Sequence, residues 1–306
     1  MNDILNSWFL LFPLLGYSIC IVIGAFFLIS LFIGGSLLIA CLCIYGLYLF
    51  LRDSTTAKRY YSDYLNIRDY IKESVSTNIK SSFHVKGSID SLPDGPALYL
   101  CHPHGLLSIT WFLHFCLRVT KWPSLKIPKV AISSIFFRFP VIRELAESNN
   151  AIPADEEAII KALKQGDSVA VLLGGVDELY HSLDEGPMKL VLEKRLGYAR
   201  IAKKTGVPLV PLITFGEERV FPSLKWGPWV SFQKFLYNWL HILIPLPTLQ
   251  SIVSWSTIVT KPLEEPIETH ILEPILSEEV STKMLRKRYS KRIREFAVDK
   301  NIVIIG

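Results

Sequence analysis

Charged side chains are absent from residues 4–51, a run of 48 positions in a chain of 306. This absence excludes a solvated surface for the stretch. Its length argues against a cleaved signal peptide and against one membrane span, because about 20 helical residues cross a bilayer. We expect a transmembrane helical hairpin over residues 1–52, with one span plus a re-entrant segment as the alternative. Arg52 and Lys58 follow and favour a cytosolic location for this end.

Cysteine is scarce, and its count is odd. The five residues lack the spacing of a disulfide framework: Cys20, Cys41, Cys43, Cys101 and Cys116. Asn-x-Ser/Thr acceptors for N-glycosylation are missing as well. Both features favour reduced thiols and a chain body that faces the cytosol.

Basic residues outnumber acidic ones by 33 to 28, which gives a net charge of +5. This balance suits anionic partners such as phospholipid headgroups. Because no nucleic-acid-binding motif accompanies the charge, we expect no nucleic-acid partner.

Residues 53–306 alternate between strand and helix patterns. Alternation predicts a short strand at 83–87. Apolar runs predict strands at 97–100, 168–173 and 207–215, with a weaker one at 258–260. Helices are predicted at 106–117, from 153 to Gly166, and at 195–205, closed by Gly206. This alternation predicts an α/β fold, a mostly parallel sheet flanked by helices.

Two histidines, His102 and His104, flank Pro103 directly after the predicted strand at 97–100. Ligands of open α/β sheets collect beyond the carboxyl ends of the strands. Imidazole is a natural base near neutral pH. Taken alone, the pair is a weak signal that favours a structural role over metal ligation. We expect no metal, because no second Cys/His cluster occurs at ligand spacing.

Five patterns follow one another in the body. They are His-Pro-His-Gly at 102–105, Pro-x-x-Arg-Glu at 140–144, Gly-Gly-x-x-Glu at 174–178, Arg-x-Gly-Tyr at 195–198 and Val-Pro-x-x-x-Phe-Gly-Glu at 210–217. Together they resemble the type 2 diacylglycerol acyltransferase family, which includes monoacylglycerol and wax-ester acyltransferases. The similarity covers residues 97–221 and implies a glycerolipid-acyltransferase-like fold. An apolar amino-terminal hairpin is also expected of that family.

The resemblance implies a set of site residues. His104 would be the catalytic base, His102 would orient it or bind substrate, and Glu178 would hold the imidazole or the acceptor hydroxyl. An exposed helix-start carboxylate is the alternative for Glu178. Substrate-binding roles carry over to Pro103, Gly105, Gly174, Gly175, Arg195, Gly197 and Glu217.

Some of these assignments have open alternatives. Gly174, Gly175 and Gly197 also fit close-approach or tight-turn positions, and Arg195 also fits a solvated surface. Leu196 stands where the family usually has a basic residue. The wider glycerolipid acyltransferases pair their histidine with an aspartate five positions later, but here that position is Ile109.

The implied activity is acyl-CoA-dependent esterification of diacylglycerol or monoacylglycerol to form triacylglycerol. A fatty alcohol or a lysophospholipid is the alternative acceptor, and a catalytically silent membrane scaffold or lipid carrier is the alternative function. Acyl-CoA would be a co-substrate, and we expect no cofactor. The expected location is the endoplasmic reticulum membrane with residues 53–306, the acyltransferase domain, in the cytosol. Lipid-droplet localisation and homo-oligomerisation are open.

Two segments further along the chain have apolar residues at helical spacing. The first, 232–243, fits a core helix or an interfacial membrane segment. The second, 283–294, predicts a basic amphipathic helix after a cap at 277–279, with Leu285, Tyr289, Ile293 and Phe296 on its apolar face. Its basic face fits either solvent or anionic lipid.

Overall fold

The computed structural model describes residues 44–45, 77–105, 108–123, 127–138, 142–192, 196–244, 246–277 and 280–305. The predicted hairpin of residues 1–52 lies outside these ranges, apart from residues 44 and 45. Among the helices that are described, none combines the length and apolarity that a bilayer span needs. The division at residue 52 therefore stays a prediction.

The described residues form a seven-stranded sheet and a two-stranded sheet. In chain order the strands are β1 (Phe83–Gly87), β2 (Leu98–His102), β3 (Lys129–Ile132), β4 (Ala151–Pro153), β5 (Val169–Leu172), β6 (Met188–Val191), β7 (Leu209–Phe215), β8 (Ile267–Ile271) and β9 (Ile302–Ile305). The large sheet has the order β1-β8-β7-β2-β5-β3-β4, and β6 pairs with β9. Neighbouring strands are parallel except β7 and β8. The predicted, mostly parallel sheet is confirmed.

Helices cover both faces of this sheet. They are α1 (77–82), α2 (Ile109–Trp111), α3 (Ile142–Ser148), α4 (Glu156–Lys164), α5 (Gly175–His181), α6 (Gly197–Thr205), α7 (Glu217–Val220), α8 (Gly227–Leu240), α9 (Leu249–Thr260) and α10 (Thr282–Ala297). A π-helical turn, Phe112–Cys116, continues α2, and a 3-10 turn spans Ser134–Arg138.

β2 lies at the centre of the sheet and is buried on both faces. Leu98 and Leu100 pack into the core cluster that also contains residues of α4, α6 and α10. Tyr99 and Cys101 pack on the opposite face, against the aromatic side chains of α2 and its π-helical turn. Burial on both faces explains why this strand is a continuous apolar run rather than an alternating pattern.

Most predicted elements are confirmed, and three details are wrong. Residues 258–260 form the last turn of α9, and the late strand is β8. The predicted helix at 106–117 changes from α to π geometry at Phe112. The cap of α10 is Ser281, whose hydroxyl accepts the Met284 N–H, rather than the 277–279 segment.

Candidate active site

His102 is the last residue of β2, and alternation along the strand decides the direction of its side chain. Since successive side chains of a strand point to opposite faces, His102 lies on the face of Leu98 and Leu100. That is the face covered by α6 and α10. The ring is fully buried.

Both ring nitrogens of His102 have buried partners. Nδ1 lies 2.6 Å from Oε1 of Glu178, and Nε2 lies 2.7 Å from the hydroxyl of Tyr289. With Glu178 as a carboxylate, every bond has one donor and one acceptor if Nδ1–H donates to Glu178 and Tyr289 donates to Nε2. His102 is therefore a link in a buried hydrogen-bond chain, which we call the inner network: Glu178, His102 and Tyr289.

Glu178 also accepts hydrogen bonds from two backbone groups. The His104 N–H donates to Oε2 at 2.7 Å, and the Val191 N–H donates to Oε1 at 3.0 Å. The side chain is fully buried, so the alternative of an exposed helix-start carboxylate is wrong. The structure thus brings Glu178 to the imidazole of His102 and to the backbone, not the imidazole, of His104.

The glycine pair before Glu178 makes room for this carboxylate. A Cβ added to Gly174 would overlap the Glu178 carboxyl group. Gly175 begins α5 with φ of +53°, a conformation that favours glycine. The spacing of Gly-Gly-x-x-Glu therefore has a steric reason, in line with the close-approach interpretation of Gly174.

His104 is only partly buried, and its Nδ1 lies close to two oxygens of its own turn. Nδ1 lies 2.8 Å from the carbonyl oxygen of Gly105. Ser108 donates its hydroxyl hydrogen to the His104 carbonyl at 2.8 Å, and its oxygen lies 3.3 Å from the same Nδ1. Because a carbonyl only accepts, Nδ1 carries the proton, and Nε2 of the neutral ring holds the basic lone pair.

Glu217 lies beneath the His-Pro-His-Gly turn. A Cβ on Gly105, whose φ is +65°, would come within 2.5 Å of Oε1 of Glu217. The two carboxylate oxygens accept the Ile109 and Thr110 N–H groups at 3.2 and 2.9 Å. Burial raises the pKa of Glu217. In this position the side chain binds the first backbone amides of α2.

The other predicted site residues have varied positions. Pro103 is buried, and its carbonyl accepts the indole N–H of Trp111 at 3.0 Å. Gly197 begins α6, where an added Cβ would meet only Arg200 at 4.0 Å. Arg195 lies outside the described residues, so its substrate-binding role stays a prediction.

His114 shows how a structural histidine differs from this pair. It is fully buried between the hydroxyls of Thr120 at 2.6 Å and Thr269 at 2.9 Å. Burial lowers the pKa of its ring to about 3. Cys101 and Cys116 are both buried.

Sequence reasoning missed Tyr289 and Val191 as members of the site. Tyr289 was assigned only to the apolar face of α10, and Val191 ends a strand, β6, that was not predicted. One signal for Tyr289 was present: a hydroxyl on an otherwise apolar face needs a buried partner.

Comparison with known proteins places these motifs in a family. Residues 29–290 match the family model for diacylglycerol acyltransferase. Acyl-CoA wax alcohol acyltransferase 2 from Homo sapiens is 33% identical over 162 residues, which are 50% of this chain and 48% of the relative. Diacylglycerol O-acyltransferase 2 from Homo sapiens is 30% identical over 188 residues, which are 57% of this chain and 47% of the relative. The chain thus spans about half the length of these curated relatives.

A solved structure is also similar. The crystal structure of the 1-acyl-sn-glycerophosphate acyltransferase PlsC from Thermotoga maritima aligns with a TM-score of 0.44 and 16% identity, covering 83% of this chain and 89% of that chain. The family assignment depends on the match to the family model, not on this solved structure. Because that model matches well over half of the chain, the protein belongs to the diacylglycerol acyltransferase family.

Proposed function

We propose that this protein is an acyl-CoA-dependent O-acyltransferase that esterifies diacylglycerol or monoacylglycerol, with His104 as its base. One observation carries the proposal: the bond from Nδ1 of His104 to the Gly105 carbonyl assigns the basic lone pair to Nε2. Family membership supports the same chemistry.

In the proposed reaction, Nε2 of His104 takes the proton of the acceptor hydroxyl as that oxygen attacks the thioester carbonyl. The new C–O bond forms, the C–S bond breaks, and the coenzyme A thiolate takes up the proton from the imidazolium. Correctly placed acid–base catalysis of this kind contributes about 10²-fold to 10⁴-fold to the rate.

The inner network supports the base through the backbone. Glu178 binds the His104 N–H at 2.7 Å and is itself held by His102 and Val191. Because the His104 imidazole is carried by the same residue as this amide, fixing the amide limits how far the imidazole moves. Rigid placement of a reacting group accounts for much of enzymatic rate enhancement.

The relatives leave the acceptor open. One is named for wax alcohols and another for diacylglycerol, at 33% and 30% identity. A fatty alcohol is therefore the second candidate acceptor. A lysophospholipid and a catalytically silent lipid-binding protein are the remaining alternatives.

The test uses the purified full-length chain with labelled acyl-CoA and four acceptors: diacylglycerol, monoacylglycerol, a fatty alcohol and a lysophospholipid. We expect glyceride ester as the main product, and a loss of about 10²-fold to 10⁴-fold in His104→Ala. His84→Ala is the matched control, because His84 is exposed on β1. Absence of any product that depends on His104 would refute the proposed acyltransferase activity. Wax ester as the main product would identify a fatty alcohol, rather than a glyceride, as the acceptor.

We also propose that the chain sits at the endoplasmic reticulum membrane with residues 53–306 on the cytosolic side. The uncharged run at 4–51 and the basic residues after it support this arrangement. The chain has no natural N-glycosylation acceptor, so a single engineered Asn-x-Thr site in the turn at 184–186 gives a signal without background. We expect this site to remain unmodified in cells, and its glycosylation would refute the cytosolic orientation.

A second membrane contact is proposed at α8 and α9. Large apolar side chains on both helices are exposed, among them Phe235 at 53%, Trp239 at 76% and Leu249 at 82%. Exposed patches of this kind mark membrane or protein contacts, and tryptophan favours the bilayer interface. Tyr237 on α8 hydrogen-bonds Asp177 of α5, so α8 contacts the helix that carries Glu178.

Spin labels test this contact in lipid nanodiscs. The full-length chain carries serine in place of Cys20, Cys41 and Cys43, and a nitroxide at Trp239→Cys. We expect this nitroxide to collide with oxygen more than with a water-soluble nickel complex. The control label at Lys287→Cys, on the exposed side of α10, should show the opposite preference. Equal accessibility at the two positions would refute the contact.

A further inference from the structure

Tyr289 lies on α10, the last of the described helices, which places it beside the His-Pro-His-Gly motif. It lies 187 residues after His102, yet its hydroxyl is 2.7 Å from Nε2 of that ring, and neither side chain is exposed. Two other residues on the same face of α10, Leu285 and Ile293, are fully buried and fix the helix against the core.

The hydroxyl of Tyr289 is a donor in this bond. Burial raises the pKa of Tyr289 well above its ordinary value, so the hydroxyl keeps its proton. Nδ1 of His102 is directed at Glu178, which leaves Nε2 as the acceptor. The bond therefore determines which ring nitrogen of His102 carries hydrogen.

A chain of three hydrogen bonds leads from α10 to His104. Tyr289 donates to Nε2 of His102, Nδ1–H of His102 donates to Oε1 of Glu178, and Oε2 of Glu178 accepts the His104 N–H. Each of these groups is buried or partly buried, where an unpaired polar atom is destabilising. Removing the first donor leaves Nε2 unpaired and the ring of His102 without its constraint on that side.

We propose that Tyr289 is a positioning residue, which holds His102 and, through Glu178, the backbone of the base His104. The role rests on the proposed acyltransferase function and extends it to α10. Tyr289 is fully buried beside His102, so it acts on turnover by holding other groups in place. It does not bind the acceptor or acyl-CoA.

The test is Tyr289→Phe in the full-length chain, which keeps the ring packing and removes the hydroxyl. We expect kcat to fall by up to about 100-fold, the effect of a misplaced catalytic group. KM for acyl-CoA and for the acceptor should stay within about twofold, because a group that contacts neither substrate contributes no uniform binding.

Tyr198→Phe is the matched control. Tyr198 is buried in the same cluster, with its ring centroid 5.0 Å from that of Tyr289. We expect kcat to stay within about twofold of the unsubstituted protein.

A spectroscopic readout separates positioning from general destabilisation. In protein labelled with ¹⁵N-histidine, Tyr289→Phe should shift the Nε2 resonance of His102, assigned by its loss in His102→Gln. Tyr198→Phe should leave this resonance in place. An unshifted resonance in Tyr289→Phe would overturn the proposal, because the hydrogen bond would not exist.

The kinetic outcomes distinguish the two proposals. An active enzyme whose kcat is unchanged by Tyr289→Phe would overturn the positioning role and leave the acyltransferase function standing. An unsubstituted chain without His104-dependent transfer would overturn the function and, with it, the positioning role, whichever way the ring resonance moves.

Discussion

Helices α8 and α10 are both amphipathic by sequence, yet they use their apolar faces in opposite ways. On α10, Leu285, Tyr289 and Ile293 are fully buried. On α8, Phe235 and Trp239 are 53% and 76% exposed. Apolar spacing therefore identifies a face of a helix, but it does not identify what covers that face.

The difference follows from what each helix packs against. α10 lies against α6 and β9, with its apolar face in the main core and its lysines and arginines outside. α8 has one buried side chain, and it is polar: Gln233 hydrogen-bonds both the N–H and the carbonyl of Ile244. Tyr237 stacks on Tyr180 of α5 with ring centroids 4.2 Å apart. Polar and aromatic contacts thus fix α8 and leave its apolar residues exposed.

The largest expected effect is on the buried face of α10. Leu285→Ala should lower the free energy of unfolding by about 2–5 kcal/mol, because it removes a fully buried side chain and leaves a cavity. Chemical denaturation in detergent, followed by circular dichroism, measures the change. Met284→Ala is the control, because the side chain of Met284, next to Leu285, is 45% exposed. Its removal should lower the free energy of unfolding by less than about 0.5 kcal/mol. Equal losses in the two variants would contradict the burial of this face.

Gln233→Ala tests the polar attachment of α8. The substitution leaves the N–H and the carbonyl of Ile244 without these partners, and we expect a loss of about 1–3 kcal/mol. The same denaturation experiment applies. Gln250→Ala on α9 is the matched control, because this exposed side chain makes one long bond of 3.3 Å. A Gln233→Ala variant with the same free energy of unfolding as the unsubstituted protein would mean that other contacts hold α8 in place.

Ser281→Ala tests the amino end of α10. Its hydroxyl accepts the Met284 N–H at 3.2 Å, and losing an N-cap costs about 1 kcal/mol. Ser281→Asp keeps an acceptor and should retain most of the stability. α8 offers the contrast, because its N-cap residue, Trp226, makes no side-chain cap. Equal stability of the alanine and aspartate variants would show that the cap contributes nothing.

Much of the fold was predictable because burial leaves a pattern in the sequence. β2, β5 and β7 are apolar runs bounded by turn residues, and each was predicted within two residues of its observed bounds. β6 and β9 were missed because they form a separate two-stranded sheet, and neither strand has an alternating burial pattern. Residues 258–260 are β-branched and looked like a strand, but they continue α9.

The residues of the candidate site were predictable, but their connections were not. His102, His104 and Glu178 are recognisable as members of motifs. Which histidine Glu178 contacts depends on the side of β2 to which each ring points and on the Gly174 turn, and both are properties of the folded chain. Tyr289 enters from a helix 187 residues away, beyond the reach of local spacing.

The smallest expected effect on stability belongs to the exposed face of α8. Trp239→Ala should change the free energy of unfolding by less than about 1 kcal/mol, the value of its stacking on Phe235 at 5.7 Å. Leu285→Ala in the same denaturation series is the reference for a buried apolar residue. A loss above about 2 kcal/mol would mean that protein, rather than lipid, covers this tryptophan. A small loss would mean that Trp239, which is 76% exposed, contributes little to folding, and it would support the membrane contact proposed for α8.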